Sequence, residues 1–246
     1  MKTYVIGDIH GNYKGFMQII KKSGFNYEKD RLISLGDIAD GYSQVPEVVE
    51  ELLKIKNLIP IKGNHDDWCY QWLKYGIANP LWLIQGGKAT RDSYNINYPD
   101  LKLKHEKEFF SKQHYYFIDE ENRLYVHGGL DWKIPIEANN KSNLMWDRHL
   151  YETALFWQFQ HDIHDVPLQK VIQFKEIFIG HTTTNYNLSY KYNNYIPSNK
   201  PVHVSNVWNL DQGAGYEGKL TIMDVNTKEY WQSDLARDLY SNEKGR

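Results

Sequence analysis

Five short segments of this 246-residue chain put Asp, His or Asn directly after an apolar run and next to glycine. They are Gly7-Asp8-Ile9-His10-Gly11, Gly36-Asp37-Ile38-Ala39-Asp40-Gly41, Gly63-Asn64-His65-Asp66, His127-Gly128-Gly129 and Gly180-His181-Thr182. Each alone is a weak signal, because a polar turn after a strand is common. Five together deliver hard oxygen and imidazole donors to one rim. Such donors suit manganese, iron, zinc or similar ions, whereas thiolates would favour softer ones. In two-metal hydrolases the ions sit about 3.5–4 Å apart and share a bridging ligand. A carboxylate can offer one oxygen to each ion, so Asp37 is the natural bridge. Asp8 and His10 would hold one ion, and Asn64, His127 and His181 the other. Compared with a third carboxylate, the neutral Asn64 leaves more positive charge to polarise a phosphoryl oxygen.

The elements that must position these groups are legible in the apolar pattern. TYVIG, RLISLG and LIPIKG read as buried strands, with amphipathic helices in NYKGFMQIIKKSG and VPEVVEELLKIK between them. This βαβαβ rhythm implies parallel strands with right-handed crossovers. In open α/β sheets, ligands bind outside the carboxyl ends of such strands. The second half changes to YYFID with RLYVHGG, then EIFIGH, VHVSNVWNL, and KLTIMDV with KEYWQSD, with HLYETALFWQF and VPLQKVIQF as helices. The expected fold class is α/β: two packed mixed sheets flanked by helices. Residues 1–234 read as one catalytic domain. Residues 235–246 read as a polar C-terminal tail, a frayed helix at most. The Asn- and Tyr-rich stretch 182–201 reads as a long surface loop.

Hydrophobic residues make up 41% and charged residues 24%, a globular profile. The formal charge of -2 gives no bulk electrostatic case for nucleic acid or an anionic membrane. The N-terminal apolar run is too short for a signal peptide or a membrane span. The single cysteine, Cys69, excludes an intramolecular disulfide and reads as a packed thiol. A reducing cytoplasm is the compartment expected.

The ordered set GDIHG, GDIAD-G, GNHD, HGG and GHT resembles the metal-dependent phosphoprotein phosphatases of the calcineurin-like metallophosphoesterase superfamily, above all their bacterial and bacteriophage serine/threonine phosphatase branch. The resemblance spans about residues 3–234, including LIQGGKATRDSY, LMWDRH and DQGAGYEGKLTIMD. It implies a central β-sandwich flanked by helices. It implies two divalent metal ions, with manganese expected first and iron, zinc or nickel as alternatives. Asp8, His10 and Asp37 would bind the first metal, and Asp37, Asn64, His127 and His181 the second. A hydroxide bridging the metals would attack phosphorus in line. His65 would be the general acid, oriented by Asp40, whose carboxylate should hold it protonated near neutrality. Arg148, in LMWDR, would bind the substrate phosphate. The substrate implied is a phosphorylated protein or a small phosphoester. The oligomeric state stays open.

One departure stands out. The family writes Asp-Arg-Gly where this chain has Asp40-Gly41-Tyr42, so one phosphate-binding arginine is missing. Three readings follow: a changed substrate, a replacement cation among Lys62, Lys88 and Arg91, or a slow enzyme. The first keeps a nucleotide phosphodiesterase or dinucleoside-polyphosphate hydrolase as the alternative function. Beside the phosphatase and this alternative, a non-catalytic metal-stabilised binding module is the third functional hypothesis. Asp66 stands where the family often has glutamate, and Gln212 where it has threonine, neither expected at a ligand. His161 and His164 read as a solvated loop. His105, His114 and His149 read as surface or packing residues, and His203 stays ambiguous within a strand. Tyr186, Tyr190, Tyr192 and Tyr195, with Lys191 and Lys200, are weighed as a stacking platform against an ordinary loop.

Overall fold

The computed structural model describes residues 1–185 and 197–246. Among the described residues, ten strands form two five-stranded sheets. The first holds β1 (Thr3–Ile6), β2 (Arg31–Ser34), β3 (Asn57–Pro60), β9 (Thr221–Asp224) and β10 (Tyr230–Gln232) in the order β10-β9-β1-β2-β3. The second holds β4 (Tyr116–Ile118), β5 (Arg123–Val126), β6 (Glu176–Ile179), β7 (Val202–Val204) and β8 (Val207–Asn209) in the order β4-β5-β6-β8-β7. In each sheet three neighbouring strands run parallel, β1-β2-β3 and β5-β6-β8, and the remaining pairs are antiparallel. The mixed two-sheet architecture expected from the sequence is the one observed.

The apolar runs are continuous because both faces of each sheet are covered. Alternate residues enter different cores. Tyr4 and Ile6 face one cluster and Val5 another, as do Leu32 and Ile33, and Ile222 and Met223. In the second sheet Leu124 and Val126 face outward to helices, while Tyr125 turns into the space between the sheets. There Tyr125 stacks on Phe178 with ring centroids 5.0 Å apart.

Helices α1 (Tyr13–Ser23), α2 (Val45–Leu52), α3 (Asn64–Tyr75), α4 (Pro80–Trp82), α5 (Lys88–Ile96) and α6 (Leu101–Glu108) belong to the first half. Phe16 and Ile19 of α1, Val48, Val49 and Leu52 of α2, and Cys69 of α3 join the cluster on the first sheet's outer face. Asn12 caps α1 by accepting from the Gly15 N–H at 2.9 Å. Helices α7 (Lys141–Trp146) and α8 (His149–His164) cover the second sheet through Leu144, Leu150, Tyr151 and Ala154.

Several local expectations fail for identifiable reasons. VHVSNVWNL is a hairpin of two strands, because Ser205 takes a positive φ of 55° and turns the chain. VPLQKVIQF is not helical. The Asn206 side chain accepts from the Val171 N–H and donates to the Val171 and Phe174 carbonyls, so the backbone bonds tertiarily. His161 and His164 occupy the last turn of α8 rather than a loop, and the His161 ring bonds the Val166 carbonyl. The short helix α9 (Ala236–Leu239) is packed, not frayed: Ala236 and Tyr240 are buried. Tyr186, Tyr190, Lys191, Tyr192 and Tyr195 lie outside the described residues. No helix among the described residues is long and apolar enough to cross a membrane.

A buried ion pair joins the sheets. Asp119, after β4, accepts from Arg123 Nε at 2.6 Å and from the Tyr125 hydroxyl at 2.9 Å. The same guanidinium donates to the Val225 carbonyl at 3.2 Å and Asn226 Oδ1 at 2.7 Å, just past β9. Replacing Asp119 with Ala leaves a buried guanidinium without its counter-ion. Urea denaturation of Asp119→Ala should show a loss of about 3–5 kcal/mol with the slope unchanged.

Candidate metal centre

The carboxyl ends of the two parallel triplets meet. The turn after β1 carries Asp8 and His10, and the turn after β2 carries Asp37 and Asp40. Past β3, the first turn of α3 carries Asn64 and His65. The turns after β5 and β6 carry His127 and His181. The turns are knitted to one another: the N–H groups of Ile9 and His10 both donate to the Asp37 carbonyl, at 3.1 and 2.9 Å. The expected ligands therefore converge across some 170 positions of sequence. Donor atoms of Asp8, His10 and Asp37 lie within 4.8 Å of one another, and so do those of Asp37, His127 and His181. Asp37 belongs to both groups, as a bridge must. Asn64 joins the second, its Oδ1 3.1 Å from His127 Nε2.

The backbone accepts strain to bring these groups together. His10, Asp37, Asp40 and His181 all have positive φ, between 48° and 75°. That conformation costs a non-glycine residue roughly 1 kcal/mol or more, and such outliers cluster where surrounding structure over-determines them. Two glycines admit the close approach. A Cβ at Gly63 would stand 2.0 Å from Asp37 Oδ1, and one at Gly180 would stand 2.0 Å from Asp8 Oδ1.

Each donor is held by one atom and left free at another. The His65 N–H donates to Asp37 Oδ1 at 3.0 Å and the His181 N–H to Asp8 Oδ2 at 3.0 Å. Nδ1 of His10 and of His127 donates to the Ala39 and Leu35 carbonyls, at 2.9 and 2.8 Å, which turns each Nε2 inward. The other atoms, Asp8 Oδ1, Asp37 Oδ2 and His181 Nε2, are buried without a hydrogen-bond partner. Buried polar atoms are ordinarily satisfied. An orphaned set of two carboxylate oxygens and an imidazole nitrogen fits divalent cations.

Charge tells the same story. Burial pushes the Asp8 carboxyl well above its usual range, and nearby Asp211 adds to this. Burial works against the charge on Asp37, but His127 and His65 outweigh it and hold that carboxyl well below the usual range. Burial pulls the His10 and His181 imidazoles well down, leaving neutral rings suited to ligation. Burial opposes charge on His127 too, yet Asp37 and Asp8 raise it to about 9. A proton on His127 Nε2 then sits between Asn64 and Asp37, where a cation is wanted.

His65 and Asp40 also meet, with Nδ1 2.6 Å from Oδ2. Asp40 is fixed further by the Trp82 indole N–H, 2.8 and 2.7 Å from its two oxygens, and by the Thr90 hydroxyl at 3.0 Å. Neither Trp82 nor Thr90 carries a sequence signal for this role; both stand within or beside the LIQGGKATRDSY stretch. His65 Nε2 is buried and unpartnered. The expectation that Asp40 keeps His65 protonated near neutrality is corrected. Burial pulls the imidazole down to about 3, with Arg246 pulling the same way against Asp37. Arg148 stands at the rim, its Nη1 donating to the His181 carbonyl at 3.1 Å and to Thr182 Oγ1 at 2.9 Å.

The three cations expected to replace the missing arginine are engaged elsewhere. Lys62 donates to the Phe110 carbonyl and lies over the Tyr70 ring, while Lys88 and Arg91 pair with Asp92. Among the described residues, the guanidinium that reaches His10 and Asp37 is that of Arg246, which sequence reading missed. Its Nη1 is 2.9 Å from His10 Nε2 and 3.7 Å from Asp37 Oδ2. Asp66, as expected, makes no hydrogen bond to a ligand side chain; it clamps the turns around them. It accepts from the N–H groups of Ile38, Ala39 and Gly63 and from the Gln113 amide.

The model of the calcineurin-like phosphoesterase family matches residues 1–195. The chain belongs to that family. Among its relatives, an asymmetrical bis(5'-nucleosyl)-tetraphosphatase, PrpE, of Bacillus mycoides is 24% identical, covering 90% of this chain and 89% of that protein. Serine/threonine-protein phosphatase 1 of Salmonella typhimurium is 21% identical and covers 91% of each. In structure, a serine/threonine phosphatase of Saccharomyces cerevisiae superposes with a TM-score of 0.57 at 14% identity, covering 95% of this chain and 80% of that one. A metallophosphoesterase of Sphaerobacter thermophilus gives 0.55 at 16%, with 96% and 88% coverage.

Metal ligands must be deprotonated, so metal affinity follows the protons the site gives up. Below pH about 9 the His127 imidazolium must release its proton before it can ligate. Calorimetry with Mn²⁺ should show affinity rising with pH between about 6.5 and 8.5, with protons released to buffer. An affinity flat across that range would contradict the assignment of His127.

Proposed function

We propose that the protein is a dinuclear-metal phosphatase that hydrolyses phosphomonoesters, of the phosphoserine/phosphothreonine kind or small. Asp8, His10 and Asp37 hold one divalent ion, and Asp37, Asn64, His127 and His181 the other. The bound ions supply Lewis-acid polarisation of the phosphoryl group and an activated water. Manganese suits this oxygen and imidazole set.

The observation that carries the monoester reading is the His65–Asp40 pair at 2.6 Å, with His65 Nε2 turned free within the buried site. A monoester with an alkoxide leaving group needs a proton delivered as the P–O bond breaks. Asp40, fixed by Trp82 and Thr90, holds the ring in one orientation. A bound phosphoryl dianion brings negative charge against His65 and raises its proton affinity from the low resting value. His65 then gives the proton to the leaving oxygen. Arg148, held by His181 and Thr182, offers the rest of its fork to the phosphate oxygens.

A second reading, a nucleotide phosphodiesterase or dinucleoside-polyphosphate hydrolase, is supported by Gly41 and by the tetraphosphatase among the relatives. An anhydride leaving group is already stable without a proton, so that chemistry needs His65 least. Comparison of p-nitrophenyl phosphate and a phosphoseryl peptide with bis-p-nitrophenyl phosphate and a dinucleoside tetraphosphate, all with Mn²⁺, separates the two. A preference for the latter pair sinks the monoester reading.

Two substitutions probe the roles. Asp37→Asn should remove both metal occupancy, read by elemental analysis, and turnover. His65→Asn should retain the metals and lose roughly 10²–10⁴-fold in kcat, most with poor leaving groups. Equal losses for good and poor leaving groups would rule out His65 as the proton donor.

A further inference from the structure

The segment after β10 returns across the chain to the metal centre. The Tyr240 ring stacks on Tyr42 with centroids 4.3 Å apart, and its hydroxyl donates to Gln44 Oε1 at 2.8 Å. The Glu243 carboxylate accepts from the Ser43 N–H at 2.8 Å and the Ser43 hydroxyl at 3.0 Å. The Arg246 N–H donates to the Gly215 carbonyl at 2.8 Å, and its guanidinium lies 4.9 Å over the Tyr216 ring. The anchors at 42–44 directly follow Asp40 and Gly41. Those at 215–216 lie against His10, since a Cβ at Gly215 would stand 2.3 Å from the His10 ring.

Position 41 has no room to supply a cation itself. Its φ is +80°, and a Cβ there would meet the His10 carbonyl oxygen at 3.0 Å and His10 Cβ at 3.1 Å. Gly86 closes over the same place, where a Cβ would stand 2.6 Å from Gly41 N and 2.9 Å from Arg246 Cβ. The turn and the segment are thus fitted to one another, and the guanidinium they deliver is only 14% exposed.

A guanidinium so buried needs a partner that supplies negative charge or lone pairs. Its present partners, His10 Nε2 and Asp37 Oδ2, are donor atoms of the first ligand group. A divalent ion held there would take both and repel the arginine. The docking contacts through Tyr240, Glu243 and the Gly215 carbonyl use neither donor, so the segment stays. The guanidinium would then keep only the Tyr216 ring beside the centre, and the group of matching charge would be an anion. We infer that Arg246 is a phosphate-facing cation of the site, delivered by the docked segment 236–246 over the space at Gly41; this rests on the phosphatase reading above.

The test uses the full chain loaded with Mn²⁺ and measures inorganic phosphate binding by calorimetry, which needs no turnover. Arg246→Gln should weaken phosphate binding about 10–100-fold, and Arg246→Lys should lose less. Mn²⁺ affinity measured without phosphate should be unchanged or tighter in Arg246→Gln. Tyr240→Ala, which loosens the docking without touching the site, should also weaken phosphate binding. A folded Arg246→Gln that binds phosphate within twofold of the parent overturns the inference. So does a fall in Mn²⁺ affinity that matches the loss of phosphate affinity, or a parent protein that does not bind phosphate. An unchanged Tyr240→Ala overturns the role given to the docked segment. A parent protein that binds phosphate through Arg246 yet hydrolyses no ester would instead defeat the phosphatase reading and leave this one standing.

Discussion

Buried negative charge is the constraint around which this fold is arranged. Asp8, Asp37, Asp40 and Asp211 are each no more than 4% exposed, gathered at the ends of strands whose other residues are apolar. Isolated carboxylates in such a place are untenable, and they persist only if protonated, paired or ligated. Every device at the centre answers that demand. Backbone N–H groups take one oxygen of Asp8 and of Asp37. His127 Nε2 lies 3.3 Å from Asp37 Oδ2, and Arg246 Nη1 lies 3.7 Å from the same oxygen. Even so, Asp8 Oδ1 and Asp37 Oδ2 are left without a hydrogen bond, which is the shape of a cation requirement.

The same constraint accounts for the local backbone. A strand can deliver a side chain to its end, but only a sharp turn can aim it back over the sheet edge. The left-handed φ values at His10, Asp37, Asp40 and His181 are those turns. Their strain is small beside the cost of misplacing a buried charge, so the packing between the sheets holds them. Val5, Ile33 and Phe178, which fill the space between the sheets, sit three to five residues before His10, Asp37 and His181. Packing, strain and charge are therefore coupled along each strand, and the rigid part of the fold lies directly beneath the chemistry.

Much of this was legible in the sequence because two signals coincided. Strands buried on both faces show as apolar runs, and glycine beside a polar residue at the end of such a run marks a turn that carries chemistry. That pairing exposed Asp8, His10, Asp37, Asn64, His127 and His181 without knowledge of their contacts. Where one signal was missing, the reading failed. Residues 166–174 have helical spacing, but the bonds their backbone makes go to Asn206, which no local pattern reveals. Trp82 and Thr90 look like ordinary helix residues, yet they hold Asp40. The acidity of His65 was misjudged for a related reason: a neighbouring carboxylate is visible in sequence, but the depth of burial that outweighs it is not.

Arg246 is the extreme case, 236 positions from His10 in sequence and 2.9 Å from it in space. Nothing in its neighbourhood, SNEKGR, distinguishes it from a solvated terminus. The missing arginine at position 41 was visible, and so was the need for a cation to replace it. What the sequence could not convey was reach: the three candidates, Lys62, Lys88 and Arg91, all have partners elsewhere. The chain instead folds a distant segment over the turn that lacks the charge, and the aromatic pair Tyr42–Tyr240 fixes the overlay. A phosphate cation carried on a separate segment differs physically from one built into the turn. Its position depends on docking contacts through Tyr240, Glu243 and the Gly215 carbonyl, which use no metal-donor atom, so substrate affinity and metal affinity can change separately in this chain, whereas an arginine at position 41 would tie both to the same few bonds around Asp37.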